Sequence, residues 1–157
     1  MSKKRLILLT GIPGMGKTTI GDFFKDTRDY EHFDFEAKET SENLHKDTNG
    51  FIDKISQGHS VVVTWGFQPY WHYQHVRRLI NNGFKLIWFD GNRTIAYREY
   101  MRTKGDGEAF YRQLNNITSS RIIDLLKPKI IDTFINGVFR DKEEIVNEIE
   151  VYLNGNP

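Results

Sequence analysis

Apolar residues fall along this chain in two different rhythms, and the changes between them mark out its elements. Short unbroken apolar runs read as strands covered on both faces. Leu6-Ile7-Leu8-Leu9 anchors the first, from about Arg5 to Thr10. Val61-Val62-Val63 anchors another, from His59 to Trp65, and Phe84 to Asp90 forms a further one. Tyr30 to Phe35 predicts a short second strand with Asp34 near its end, and Lys129 to Ile135 predicts the last. Between them the apolar positions take helical spacing. Thr18 to about Arg28 points Ile20, Phe23 and Phe24 inward. Lys38 to Gln57 is mostly polar and is interrupted at Asn49-Gly50. Tyr70 to Asn81 stops at Asn82-Gly83, and Arg93 to Arg102 follows the fourth strand. Phe110, Leu114, Ile117, Arg121 and Leu125 recur as one helix up to Pro128. Asp141 to Leu153 buries Ile145, Val146, Ile149 and Leu153, with Asp141 as its N-cap. Strands alternating with helices predict βαβ units: an α/β fold of three layers, with helices on both faces of a five-stranded parallel sheet.

The chain has 157 residues, which the length prior reads as a single domain spanning 1–157. It is 38% hydrophobic and 27% charged with a formal net charge of +1, so it is globular and has no general reason to bind nucleic acid or an anionic membrane. It contains no cysteine, which excludes a disulfide framework, a thiolate metal site and a thiol nucleophile. Met1 to Arg5 is basic and precedes Leu6 to Leu9, but Gly11 and Pro13 break that apolar run too early for a signal core or a membrane span. The expectation is a cytoplasmic protein. The helix of Tyr70 to Asn81 carries His72 and His75, which read as surface histidines rather than metal ligands.

The densest chemistry lies at Gly11-Ile12-Pro13-Gly14-Met15-Gly16-Lys17-Thr18-Thr19, which fits G-x-x-x-x-G-K-[ST] between a strand and a helix. The three glycines free the backbone to turn its N–H groups onto phosphate oxygens, and the helix start adds its unpaired N–H groups and positive dipole end. Lys17 places an ammonium between the β- and γ-phosphates. The Thr18 hydroxyl offers a ligand to Mg²⁺, and Thr19 falls near the α-phosphate.

With that loop and this order of elements, the chain resembles the small P-loop kinases of the nucleoside monophosphate, shikimate and gluconate kinase group. The resemblance implies a P-loop NTPase fold with ATP and Mg²⁺ as cofactors and a short lid at about 103–112. It makes Asp34, in His32-Phe33-Asp34-Phe35-Glu36, a carboxylate facing metal and acceptor, with Glu36 a weaker candidate. It makes Thr64, Trp65, Gly66 and Phe67, after the third strand, lining of the acceptor pocket. Trp65 then either stacks on a base or sugar face or belongs to the core. The Asp-Gly-Phe-Pro-Arg turn of adenylate kinases and the consecutive glycines of shikimate kinases are both missing here. Asp90 resembles a Walker B aspartate, but a cap on the following helix suits it better. The stretch Arg98-Glu99-Tyr100-Met101-Arg102-Thr103-Lys104-Gly105 resembles the approach to a lid, so Arg98, Arg102 and Arg112 are its candidate phosphate-binding arginines. Asn136 and Gly137 sit where the family reads adenine.

The expected activity is transfer of the γ-phosphate of Mg·ATP to a small-molecule acceptor. The alternatives are a nucleoside or nucleotide kinase and an ATP-binding module without catalysis. No Asn-Lys-x-Asp guanine reader is present, which disfavours a GTPase switch.

Overall fold

The central strand, β1 (Leu6–Gly11), is buried along its whole length, as its unbroken apolar run requires. In the computed structural model, which describes residues 3–156, it pairs in parallel with β3 (Val61–Thr64) on one side and β4 (Lys85–Asp90) on the other. The edges are β2 (Glu31–Asp34), beside β3, and β5 (Lys129–Asp132), beside β4. The five-stranded parallel sheet therefore runs β2-β3-β1-β4-β5. Residues 1, 2 and 157 of the expected 1–157 domain lie outside the described residues.

The connections place the helices. The step from β1 through α1 (Lys17–Arg28) to β2 runs toward one edge of the sheet. The step from β3 through α4 (Pro69–Asn81) to β4 runs toward the other. Right-handed crossovers in opposite directions put those helices on opposite faces. The last helix, α8 (Lys142–Gly155), packs on α1, and its buried Ile145, Val146, Ile149 and Leu153 are the residues that the spacing predicts. Asp141 caps it, accepting a hydrogen bond from the Glu143 amide at 2.8 Å. Ile20 and Phe24 of α1 are fully buried.

Three boundaries differ from expectation. The segment after β2 divides into α2 (Lys38–Lys46) and α3 (Thr48–Ile55), and the break falls at Asp47 rather than at Asn49-Gly50. Asp47 accepts from the Gly50 amide at 3.0 Å, so Asn49-Gly50 lies inside the capped first turn. After α5 (Arg93–Thr103), the long helix expected up to Pro128 is α6 (Gly107–Ser120) and α7 (Ile122–Leu126), separated by Arg121 in the left-handed region at φ 56°. The last strand is shorter than Lys129 to Ile135. Beyond Thr133 the chain enters a small antiparallel hairpin, β6 (Phe134–Ile135) and β7 (Val138–Phe139), turned by Asn136-Gly137.

Candidate active site

The strand order reverses at β1, between chain segments that leave toward opposite edges, and a crevice opens at the carboxyl ends there. The turn after β1 lies in it. Gly11 takes φ +138°, and a Cβ on it would stand 2.1 Å from the Phe89 carbonyl oxygen of β4, so only glycine fits. Gly14 takes φ +85°, and a Cβ there would stand 2.6 Å from the Ala96 carbonyl oxygen of α5. Ile12 and Met15 are fully buried and pin the loop from below. The Ile12 amide donates to the Phe89 carbonyl at 3.1 Å, and the buried Thr133 hydroxyl donates to the Met15 carbonyl at 2.8 Å. Gly16 is the N-cap of α1 and brings no side-chain cap, so the first N–H groups of α1 keep their capacity for an anion. Pro13, Gly14, Gly16, Lys17, Thr18 and Thr19 all line a cleft of about 960 Å³. That volume suits a nucleotide with a small second molecule.

Lys17 Nζ donates to the Ile12 carbonyl at 3.3 Å. Burial holds its ammonium below the usual lysine value; Glu36 and, less strongly, Asp34 oppose that shift, and Lys104 adds to it. Beside it the Thr18 hydroxyl faces Asp34 Oδ2 at 3.4 Å. Asp34 Oδ1 accepts from the Glu36 amide at 3.0 Å, and Glu36 Oε1 accepts from the Gly66 amide at 2.6 Å, which ties the end of β2 to the turn after β3. The oxygen donors of Thr18 and Asp34 suit a hard cation such as Mg²⁺. No three histidine, cysteine or carboxylate side chains cluster among the described residues, so a cation held by Thr18 and Asp34 would need further ligands from a bound phosphate or water.

The facing wall comes from α5. Arg98 and Arg102 both converge on Glu99, at 3.1 Å and 2.9 Å, and these bonds, that from Arg102 foremost, hold the Glu99 carboxyl below its usual range. Arg98 also donates to the Gly137 carbonyl at 3.1 Å, joining α5 to the hairpin. Tyr100 and Lys104 complete this wall, and burial raises the Tyr100 phenol above its ordinary value. Phe134, Gly137, Val138 and Phe139 close the end of the cleft, with the Phe139 ring against Gly16.

Other expected residues lie elsewhere. Thr64 is buried and its hydroxyl meets His32 Nε2 at 2.8 Å, while His32 Nδ1 meets Asp22 at 2.8 Å. Trp65, 4% exposed, packs between Phe35, Phe67 and His72, and Phe67 is buried as well. Neither ring lines the cleft; of the turn after β3, only the Gly66 amide reaches a cleft residue. Arg112 borders a separate shallow groove with Tyr97 and Tyr111. Asn136 supplies the hairpin turn at φ 51° and does not line the cleft. The region of 103–112 is the end of α5, a short turn and the start of α6, of which Thr103 and Lys104 face the cleft. Asp90 pairs with Arg93 at 2.7 Å, and the cap of α5 is Asn92, which accepts from Thr94 and Ile95. His72 and His75 are half-buried rather than on the surface, and the His72 Nδ1 accepts from the Gln68 amide at 2.9 Å. Glu99, Tyr100 and Lys104 join the cleft without a motif to mark them, although Glu99 and Arg102 stand at the i, i+3 spacing of a helical ion pair.

No protein-family model matches the sequence, and no curated protein matches it. Solved structures do. A shikimate kinase from Acinetobacter baumannii in complex with shikimate is 13% identical, with 98% of this chain and 95% of that one covered at a TM-score of 0.67. A gluconokinase from Sinorhizobium meliloti is 17% identical over 93% and 90%, TM-score 0.62. The YorR protein of Bacillus subtilis, in complex with phosphorylated GDP, is 12% identical over 95% of each chain, TM-score 0.66. Among the described residues no helix is long and apolar enough to cross a membrane. The chain thus has the fold that shikimate kinases and gluconokinases share, the five-stranded parallel sheet of the small P-loop kinases.

Proposed function

We propose that this chain transfers the γ-phosphate of Mg·ATP to a hydroxyl group of a small-molecule acceptor in the cytoplasm. The observation that carries the proposal is the sharing of one cleft by the phosphate loop and a carboxylate, Asp34, that makes no ion pair among the described residues. The loop amides, the α1 N-terminus and Lys17 hold the triphosphate. Thr18 and Asp34 hold Mg²⁺, which when bound neutralises charge on the β- and γ-oxygens. The acceptor oxygen bonds to the γ-phosphorus as the bond to the bridging oxygen of ADP breaks, and the acceptor proton passes to Asp34. Arg98 and Arg102, turning from Glu99, meet the charge that spreads over the transferred group. Gly137 and the hairpin rings flank the base.

A nucleoside acceptor has less support. The two rings that would sandwich its base, Trp65 and Phe67, are buried. ADP release from Mg·ATP across a panel of polyols, sugar acids, nucleosides and nucleotides tests the proposal. Turnover stimulated by an acceptor and abolished in Lys17→Ala supports it. Tight Mg·ATP binding with no acceptor-dependent turnover would instead favour a binding module.

A further inference from the structure

The charges of the cleft are sorted by wall. Arg98 and Arg102 stand on α5 and Lys104 just beyond its end, and the two arginines are already engaged by Glu99. On the wall formed by the β2–α2 turn stand Asp34 and Glu36, with the uncharged Ala37 next to them and Gln113 of α6 also in the lining. Neither Asp34 nor Glu36 is in an ion pair among the described residues. Lys17, the cation nearest to them, belongs to the phosphate loop. The arginine expected to reach inward from α6, Arg112, borders the other groove. Glu36 is also fixed in place: its Oε1 accepts from the Gly66 amide at 2.6 Å, and its second oxygen is in no hydrogen bond within the described residues.

From this sorting we infer that the acceptor is an uncharged or cationic alcohol, a polyol or amino alcohol, and that Glu36 selects it against carboxylate- and phosphate-bearing acceptors. The inference rests on the kinase reading above. An anionic acceptor beside Asp34 would meet a second carboxylate at Glu36, and like charges placed together exclude the wrong partner. A hydroxyl or an ammonium gives the free Glu36 oxygen a donor. Lys104 is the group that opposes the inference, because it lines the same cleft and lies close enough to act on Lys17.

The test compares matched alcohols that differ in charge at one end: gluconate, sorbitol and glucamine, with parallel anionic, neutral and amino series built on a cyclic polyol and on a nucleoside. Full-length protein and Mg·ATP are used, and ADP release and phosphorylated product are both measured. The neutral or amino member is expected to exceed its anionic counterpart in kcat/KM by about tenfold or more. Glu36→Gln, which keeps an oxygen for the Gly66 amide, is expected to narrow that preference about tenfold, read as the ratio of kcat/KM between members of one series at saturating ATP. Preference for the anion in any active series overturns the inference, as does a Lys104→Ala variant that selectively raises the KM of an anionic acceptor. Absence of turnover in every series with Mg·ATP still bound removes the kinase reading and overturns the inference with it, whereas anion preference overturns the inference alone. Failure to bind Mg·ATP is a separate result, and it removes the kinase reading itself.

Discussion

The Thr18 hydroxyl and the Asp34 carboxylate stand 3.4 Å apart across the mouth of the phosphate loop, one at the start of α1 and the other at the end of β2. The parallel pairing of β2 with β3, and of β3 with β1, carries Asp34 to the same end of the sheet as the loop. Thr18→Val keeps the shape and removes the hydroxyl. It is expected to raise the Mg²⁺ concentration for half-maximal turnover by about tenfold or more. Asp34→Asn is expected to lower kcat by about 10² to 10⁴ and to alter the KM for ATP far less, as read from initial rates.

Lys17→Met removes the ammonium proposed to meet the β- and γ-phosphates, and a loss of about 10² to 10³ or more in turnover is expected. In the ligand-free protein the same change is expected to stabilise. Burial lowers the proton affinity of Lys17 in the folded state below the ordinary value near 10.5. Between those two values the unfolded chain binds the extra proton, so the wild type gains stability as pH rises through this range. Urea titrations over a pH series are expected to show that gain in the wild type and a flatter profile in Lys17→Met.

Tyr30 gives the opposite slope. Desolvation, and secondarily Glu150, pushes its phenol up to about 12 from 10.0. Between those values the unfolded chain has lost a proton that the folded one keeps, so stability falls as pH rises. The difference in thermal midpoint between the wild type and Tyr30→Phe is expected to shift in favour of Tyr30→Phe from pH 10 to pH 12. A constant difference across that range would refute the assignment.

Gly11→Ala drives a methyl group onto the Phe89 carbonyl, where backbone of both central strands must part. A loss of about 2 kcal/mol or more is expected in denaturant unfolding, from strain and overpacking together. Gly58→Ala is the control: it shares a positive φ of 94° but has open space around it, so it carries only the torsional part of the cost.

Much of this architecture was legible before any coordinates. The run Leu6 to Leu9 followed by Gly-x-x-x-x-Gly-Lys-Thr gives a strand, a loop and a helix in that order, and each step follows from local chemistry. What was not legible depended on which way a side chain turns at an element's end. Thr64 lies at the carboxyl end of β3 as expected, but its side chain points to His32 beneath α1. Trp65 goes to an aromatic cluster drawn from Phe35 just after β2, the turn after β3 and α4. Arg121 fits a helical repeat perfectly well and still adopts left-handed torsions, which end α6 and start α7. Asn49-Gly50 reads as a break by turn chemistry alone, but an aspartate three residues before a glycine amide makes a sound cap, and Asp47 sets the boundary.

The seating of Gly14 on α5 has a mechanical consequence. A Cβ there would touch both the Ala96 carbonyl and the Tyr100 amide, so no layer of side chains cushions the loop from that helix. Backbone rests on backbone, and the strut bearing both guanidinium groups cannot slide without dragging the anion cradle along. In the proposed reaction the guanidinium groups then reach the phosphates by swinging their side chains on this frame.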